Sequence, residues 1–163
     1  MDELATVLRR ERWLLSVLVF RLTEMRHLLS ANDARFLGWA STEVEDAVAR
    51  VREAEMIRSA LVGRLAREVE MDEADVTLAC LARVAPEPYR AIFSEHRGAL
   101  LEAMDEVESL AHSTSDLATL EALVGGPGDT LELQIAHCGH AAALATAERL
   151  SLSTLVEFLR ELQ

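Results

Sequence analysis

Residues 2–30 read DELATVLRRERWLLSVLVFRLTEMRHLLS, and their pattern decides the fold. Apolar residues recur every three and four positions, at Leu4, Leu8, Leu15, Leu18, Leu22, Met25 and Leu29. Glu11 occupies the one position of this seven-residue repeat where an apolar residue is missing. Such a repeat is typical of a helix that packs along a coiled-coil-like stripe. We therefore predict a first long helix over residues 2–30, whose stripe is widened by Leu14, Val17, Val19, Phe20 and Leu28.

The same spacing predicts two more long helices, over residues 34–70 and 88–124. The second is expected to bury Leu37, Ala40, Val44, Ala47, Val51, Ala54, Ile57, Leu61 and Leu65. The charged residues expected to face solvent are Glu43, Glu45, Asp46, Arg50, Arg52 and Glu53. The third helix carries its own apolar stripe, formed by Ile92, Phe93, Ala99, Leu100, Ala103, Met104, Val107, Leu110, Leu117 and Leu120.

Short segments connect the long helices. Residues 30–33 predict a turn, with Asn32 or Asp33 as the N-cap of the second helix. A short helix is predicted over residues 71–85, capped by Asp72, before the third long helix starts at Pro88. The polar residues 113–116 are expected to kink or fray that third helix, because their side chains compete for backbone hydrogen bonds.

The composition supports the same fold class. The 163 residues are 50% hydrophobic but only 4% aromatic, with 7 Gly and 3 Pro. This balance favours long helices over β-sandwiches and barrels. We predict an all-α protein in which residues 1–124 form an elongated antiparallel bundle of three long helices and one short helix.

A glycine-rich break ends the helical pattern. Gly125, Gly126 and Gly128 surround Pro127, and we predict that they form a hinge across residues 125–128. Residues 129–163 then form a mobile, amphipathic and helical C-terminal segment. Its apolar side chains are numerous enough to need a partner, either the chain's own bundle or another protein.

The net charge of −12 argues against nucleic-acid binding, because no basic face exists to neutralise phosphates. All 16 basic residues are Arg, and residues 101–163 carry only two of them against 11 acidic residues. The C-terminal part is therefore expected to favour basic or neutral partners. The longest apolar stretch, residues 13–20, is too short to cross a bilayer, and no signal peptide precedes it, so we expect a cytoplasmic protein without membrane insertion.

Catalytic and metal-binding motifs are scarce. His137 and His140 are three residues apart and could share one helix face, but a zinc site needs a third or fourth ligand. The one Glu-x-x-His spacing, Glu24 with His27, is half of the pair that a dimetal bundle needs. No nucleophile elbow or phosphate-binding loop occurs, and the chain has no Lys. We therefore predict no enzymatic activity, no catalytic residue, no cofactor and no metal.

The two tryptophans could be core residues or an exposed binding platform. Trp13 lies beside Leu14 and Leu15 and is expected to pack in the core. Trp39, near the first turn of the second helix, is left open between the two interpretations.

The N-terminal two-thirds resemble a known family. Residues 1–12 (MDELATVLRRER), Leu18–Glu24 with Leu28-Leu29, and Arg35-Phe36-Leu37 look like the opening of FlgN-type flagellar export chaperones. The resemblance continues in residues 40–45 (ASTEVE), Glu55 with Arg58, residues 85–90 (APEPYR) and residues 95–97 (EHR), and it covers about residues 1–110. Its motifs are patterns of helix packing.

The resemblance implies a cytoplasmic, non-enzymatic type III export chaperone. Such a protein binds the C-terminal helices of the hook–filament junction proteins FlgK and FlgL, keeps them unassembled and delivers them to the flagellar export gate. We expect the cargo to contact the apolar residues after the hinge: Leu131, Leu133, Ile135, Leu144, Leu152, Leu155, Val156, Phe158 and Leu159.

Two other interpretations remain open. The first is a structural homodimer, a protein-interaction module without an export role, in which the C-terminal segment of a second copy completes the bundle. The second is a metal-dependent enzyme or sensor that uses His137 and His140.

Overall fold

The computed structural model of the chain describes residues 1–68, 70, 72 and 75–124. Four α-helices occupy most of this part: α1 (Asp2–Ser30), α2 (Leu37–Glu68), α3 (Leu78–Val84) and α4 (Tyr89–Val124). A 3-10 turn, Ala34–Phe36, precedes α2. The described residues form no β-strand. The predicted all-α class is confirmed.

Helix α1 is the common partner of the other two long helices. It packs against both α2 and α4, whereas α2 and α4 hardly touch each other in the described part of the chain. Glu3 pairs with Arg64 and Arg21 with Glu43, so α2 runs antiparallel to α1. Between α4 and α1, Tyr89 Oη donates a 2.8 Å hydrogen bond to Asp2, so α4 starts beside the start of α1.

The predicted seven-residue repeat of α1 is confirmed, but its predicted widening is wrong at Phe20, which is 54% exposed. All seven apolar residues of the repeat are buried, and so is Glu11 between them. The stripe of α4 is built around Phe93, Leu100, Met104 and Val107, which are almost fully buried. An uninterrupted spacing of three and four lets a straight helix keep one face against its neighbours over its whole length. At 36 residues, α4 is roughly 54 Å long.

The predicted stripe of α2 is right at its start and wrong at Ile57, whereas Leu61 and Leu65 are half-buried against the core. Leu37, Val44, Ala47, Val51 and Ala54 are buried, and Ala40 is half-buried. Beyond them, Ile57 is exposed, and the charged residues Glu55 and Arg58 take the buried positions instead. The spacing of apolar residues does not reveal that these two positions are buried, because a paired carboxylate and guanidinium can replace an apolar side chain in a helix interface.

The turn after α1 is a Schellman motif rather than an N-cap at Asn32. Asn32 has a positive φ of 51°, and its N–H donates to the Leu29 carbonyl. The N–H of Asp33 donates to the Leu28 carbonyl, as this C-terminal motif requires. Of the two predicted caps, Asp33 caps the 3-10 turn that precedes α2: its carboxylate accepts a hydrogen bond from the Arg35 N–H.

Three predicted boundaries of α2 and α3 differ from those in the structure. Helix α2 begins after the 3-10 turn rather than at residue 34 and ends at Glu68 rather than at residue 70. Helix α3 begins at Leu78, and its N-cap is Thr77, whose hydroxyl accepts from the Cys80 N–H, not Asp72. Leu78 and Leu81 of α3 are buried, and this short helix packs against α4.

The polar residues near the end of α4 do not end the helix. Helical backbone is continuous from Tyr89 to Val124. The hydroxyls of Ser113 and Thr114 both donate to the carbonyl of Leu110, one turn earlier, at 3.0 and 2.8 Å. These side chains therefore bond within the helix that they were expected to disrupt.

Several predictions lie outside the described residues. These are the hinge at Gly125, Gly126 and Gly128, and the segment over residues 129–163. Among the described helices, none combines the length and the apolar character that crossing a bilayer demands.

The left-handed backbone of Asn32 gives a stability prediction. Replacing Asn32 with Gly should leave the free energy of unfolding unchanged or slightly higher, because glycine adopts positive φ at no steric cost. Replacing it with Ala should lower that free energy by about 1 kcal/mol. Urea unfolding measures both. Ala31→Gly, at a right-handed position, is the control and should not stabilise. Equal stability of Asn32→Gly and Asn32→Ala would contradict the Schellman assignment.

Candidate functional site

Large aromatic side chains lie exposed on α1 and at the start of α2. Trp13 is 61% exposed, Phe20 54%, Phe36 44% and Trp39 71%. Aromatic residues dominate buried cores and protein interfaces, and this chain has only seven. Both tryptophans and two of the four phenylalanines are therefore left uncovered. We name Trp13, Phe20, Phe36 and Trp39 the aromatic surface.

The repeat itself explains why these residues point outward. Trp13 and Phe20 are seven residues apart and lie two positions before the buried Leu15 and Leu22. Trp39 has the same relation to the buried Ser41 in α2. This position is opposite the packed stripe of a seven-residue repeat. The predicted packing of Trp13 in the core is wrong, and for Trp39 the exposed platform is the correct alternative.

One end of the aromatic surface opens into a groove of about 520 Å³ between the end of α1 and the start of α2. We name it the α1–α2 groove. Its lining from α1 is Arg21, Glu24, His27, Leu28 and Ala31. Its lining from the 3-10 turn and α2 is Phe36, Trp39, Ala40 and Glu43. The groove thus joins exposed aromatic rings to small apolar positions.

Arg21 bridges the two helices at this groove. Its Nη1 lies 2.8 Å from Glu24 and its Nη2 lies 3.0 Å from Glu43. The hydrogen bond to Glu24 and the charges of both carboxylates raise the pKa of Arg21 above its ordinary value. The guanidinium also lies 5.4 Å from the centre of the Phe20 ring. Arg21 is thereby engaged by the protein, and the rim carries one net negative charge.

A second polar cluster is buried between α1 and α2. Glu11 and Glu55 are fully buried and Arg58 is 3% exposed. Arg58 donates to both oxygens of Glu55, from Nε at 3.0 Å and from Nη2 at 2.7 Å. Its Nε also lies 3.2 Å from Glu11 Oε2, but neither Glu11 oxygen has a hydrogen-bond partner among the described residues.

Burial raises the pKa of Glu11 from 4.5 to about 8. The positive charge of Arg58 opposes this increase, and the nearby carboxylate of Glu55 adds to it. A low-dielectric interface disfavours a second negative charge beside one guanidinium. Glu11 is therefore mostly protonated at neutral pH, which makes the cluster close to neutral.

A third polar contact joins α1 to α4. Arg12 Nη1 lies 3.0 Å from Glu95 Oε1 and 3.2 Å from His96 Nδ1. Burial and the positive charge of Arg12 lower the pKa of His96. The neutral ring can accept a hydrogen bond from Arg12 at Nδ1. This geometry serves packing between the two helices.

The predicted cargo residues, Leu131 to Leu159, lie outside the described part of the chain, as do His137 and His140. Within the described ranges, no group of three or more His, Cys, Asp or Glu side chains is placed to hold a metal ion. Sequence reasoning missed Phe20 and Phe36 as exposed residues. The seven-residue frame of α1 could have identified Phe20, whereas Phe36 depends on the 3-10 turn.

Comparison with protein-family models, with curated proteins and with solved structures finds no match to this chain.

The exposure of both tryptophans can be measured directly. Trp13→Phe and Trp39→Phe each leave one tryptophan, whose fluorescence should resemble that of a water-exposed indole and be strongly quenched by acrylamide. Quenching of N-acetyltryptophanamide is the reference. Protection of Trp13 from the quencher would show that it packs in the core after all.

The buried cluster predicts a pH dependence. The pKa of Glu11 is about 8 in the folded protein and 4.5 without burial, so the unfolded chain releases this proton first as the pH rises. Wild-type stability should therefore fall between pH 4.5 and 8, relative to Glu11→Gln. At 1.36 kcal/mol per pKa unit, the difference reaches several kcal/mol as an upper bound.

Urea unfolding from about pH 4 to about pH 9 measures this difference, with the exposed Glu53→Gln as the matched control. Parallel pH profiles of the wild type and Glu11→Gln would contradict the shifted pKa.

Proposed function

We propose that this protein binds another protein through exposed apolar surface on its helices. The observation that carries the proposal is the aromatic surface, in which both tryptophans of the chain lie more than half exposed. Tryptophan is among the residues most enriched at the energetic centres of interfaces. Exposed aromatic rings cost solubility unless a partner covers them, so a binding role accounts for their position.

The size of the surface favours a short partner segment. A covered aromatic side chain buries roughly 150–250 Å², so four rings about half exposed leave roughly 450 Å² for a partner. A standard interface buries about 800 Å² on each side. The aromatic surface therefore supplies about half of one interface. Further contact area has to come from its surroundings or from residues 129–163.

More specifically, we propose a FlgN-type flagellar export chaperone. The resemblance of residues 1–110 supports this family, and the all-α fold is compatible with it. In this proposal, an elongated antiparallel bundle in the cytoplasm binds the C-terminal helices of FlgK or FlgL. It keeps them unassembled and delivers them to the export gate. The apolar residues from Leu131 to Leu159 would contribute to the cargo surface.

The alternative partner is a second copy of this chain. The aromatic surface could serve a homodimer, but a net charge of −12 on each copy opposes self-association at low salt. Sedimentation at high micromolar concentration separates the two cases. A monomer would exclude the homodimer and leave the chaperone proposal in place.

The direct test is calorimetric titration of the full chain with C-terminal peptides of FlgK-type and FlgL-type proteins from the same genome. We expect one-to-one binding to at least one of them. Leu155→Glu and Phe158→Glu should weaken it if the predicted cargo residues contribute, and Met56→Ala, an exposed change on α2, should not. Absence of binding to either peptide by the wild type would refute the chaperone proposal.

A further inference from the structure

We propose that the α1–α2 groove is the docking site for a three-turn amphipathic helix that carries basic residues beside its apolar stripe. This inference rests on the proposed function and locates one contact with the partner on the described helices. It places that contact at Leu28, Trp39 and Ala40, which are not among the predicted cargo residues.

The shape of the groove fits a helix. From α1 it is lined by Arg21, Glu24, Leu28 and Ala31, which are spaced three, four and three residues apart. Side chains at this spacing lie on one face along a helix, and another helix can pack lengthwise against such a face. From Arg21 to Ala31, ten residues further along α1, the distance is roughly 15 Å, the length of about three helical turns. The partner segment is therefore short.

The side chains at the bottom of the α1–α2 groove suit an apolar stripe on the partner helix. Leu28 is half-buried and Ala40 is small, so aliphatic side chains of a partner can enter between them. Trp39 and Phe36 stand at the side as large, exposed rings. A rigid aromatic ring beside a small-residue pocket is the usual arrangement of an interface anchor. A helix that inserts its apolar face here would cover both rings.

The charged side chains at the edge of the α1–α2 groove favour a partner helix with basic residues beside its apolar stripe. Glu24 and Glu43 are each nearly half exposed, and both face the same guanidinium of Arg21. With His27 counted as neutral, one cation between two carboxylates leaves one net negative charge at the groove, on a protein whose net charge is −12. Lys or Arg beside the apolar stripe of the partner would pair with these carboxylates, whereas Glu or Asp would be repelled. The same repulsion disfavours a second copy of this acidic chain.

The test uses the full chain and two designed helical peptides of about 14 residues, slightly longer than three turns. Both carry the same Leu and Ala stripe, one with Arg flanks and the other with Glu flanks. We expect the Arg-flanked peptide to bind at least tenfold more tightly at low salt, with a change in Trp39 fluorescence in the Trp13→Phe background. Equal affinity for both peptides would contradict the proposed preference of the groove for basic residues on the partner helix.

Variants then locate the site. Trp39→Ala should weaken binding of the Arg-flanked peptide at least tenfold, as truncation of an interface anchor does. Ala40→Arg should block the groove, and Glu43→Arg should shift preference toward the Glu-flanked peptide. Met56→Ala is the matched control, because Met56 is 66% exposed on the same helix but does not line the groove. Unchanged binding in both Trp39→Ala and Glu43→Arg would overturn the proposal, whether or not Ala40→Arg folds.

The same variants separate the two proposals. If the FlgK-type or FlgL-type peptide binds the wild type and Trp39→Ala equally well, the chaperone proposal holds and the groove is the wrong site. If the Arg-flanked peptide binds the groove but neither cargo peptide binds the protein, the groove is a docking site and the chaperone proposal fails.

Discussion

The pairing of α1 with α2 depends on one buried guanidinium and two carboxylates. Arg58 donates two hydrogen bonds to Glu55 and lies within ion-pair distance of Glu11 on the opposite helix. Because Glu55 and Arg58 both lie on α2, a shift of α2 by one turn along α1 would leave their pair intact and would remove only the contact of Glu11 with the guanidinium. Burying Glu11 without that contact would cost about 1–3 kcal/mol. Apolar side chains impose no such penalty, since leucine packs nearly as well one turn away. The polar cluster therefore fixes the alignment of the two helices.

That alignment decides which residues meet at the far end of the pair. With Glu11 beside Arg58, the antiparallel helices bring Arg21 to Glu43 and the end of α1 to the 3-10 turn. Leu28, Phe36 and Trp39 then line one groove although no two of them are consecutive in the sequence. The buried cluster of Glu11, Glu55 and Arg58 lies apart from the α1–α2 groove. By aligning the two helices, it nevertheless determines which residues line the groove that we propose as a docking site.

Helix α1 combines two roles that usually fall to different elements. Its buried stripe holds α2 and α4, and its opposite face presents Trp13 and Phe20 to solvent. A helix that is committed to the core on one side offers a rigid platform on the other, because its backbone is held over its full length. Binding on such a platform requires little ordering of the protein and so loses little entropy.

The sequence by itself determined the all-α class, the bounds of α1 and the buried stripe of that helix, because a repeat of three and four residues has one structural solution. It did not predict the middle of α2, where Ile57 is exposed and Glu55 and Arg58 are buried with Glu11 of α1 beside them. It also misplaced Trp13, whose exposure follows from its position opposite the stripe rather than from its hydrophobicity. The α1–α2 groove was not predictable, because periodicity reports which face of one helix is buried but not which residues of two helices come together. Only the tertiary structure decided that, through the polar contacts that align them.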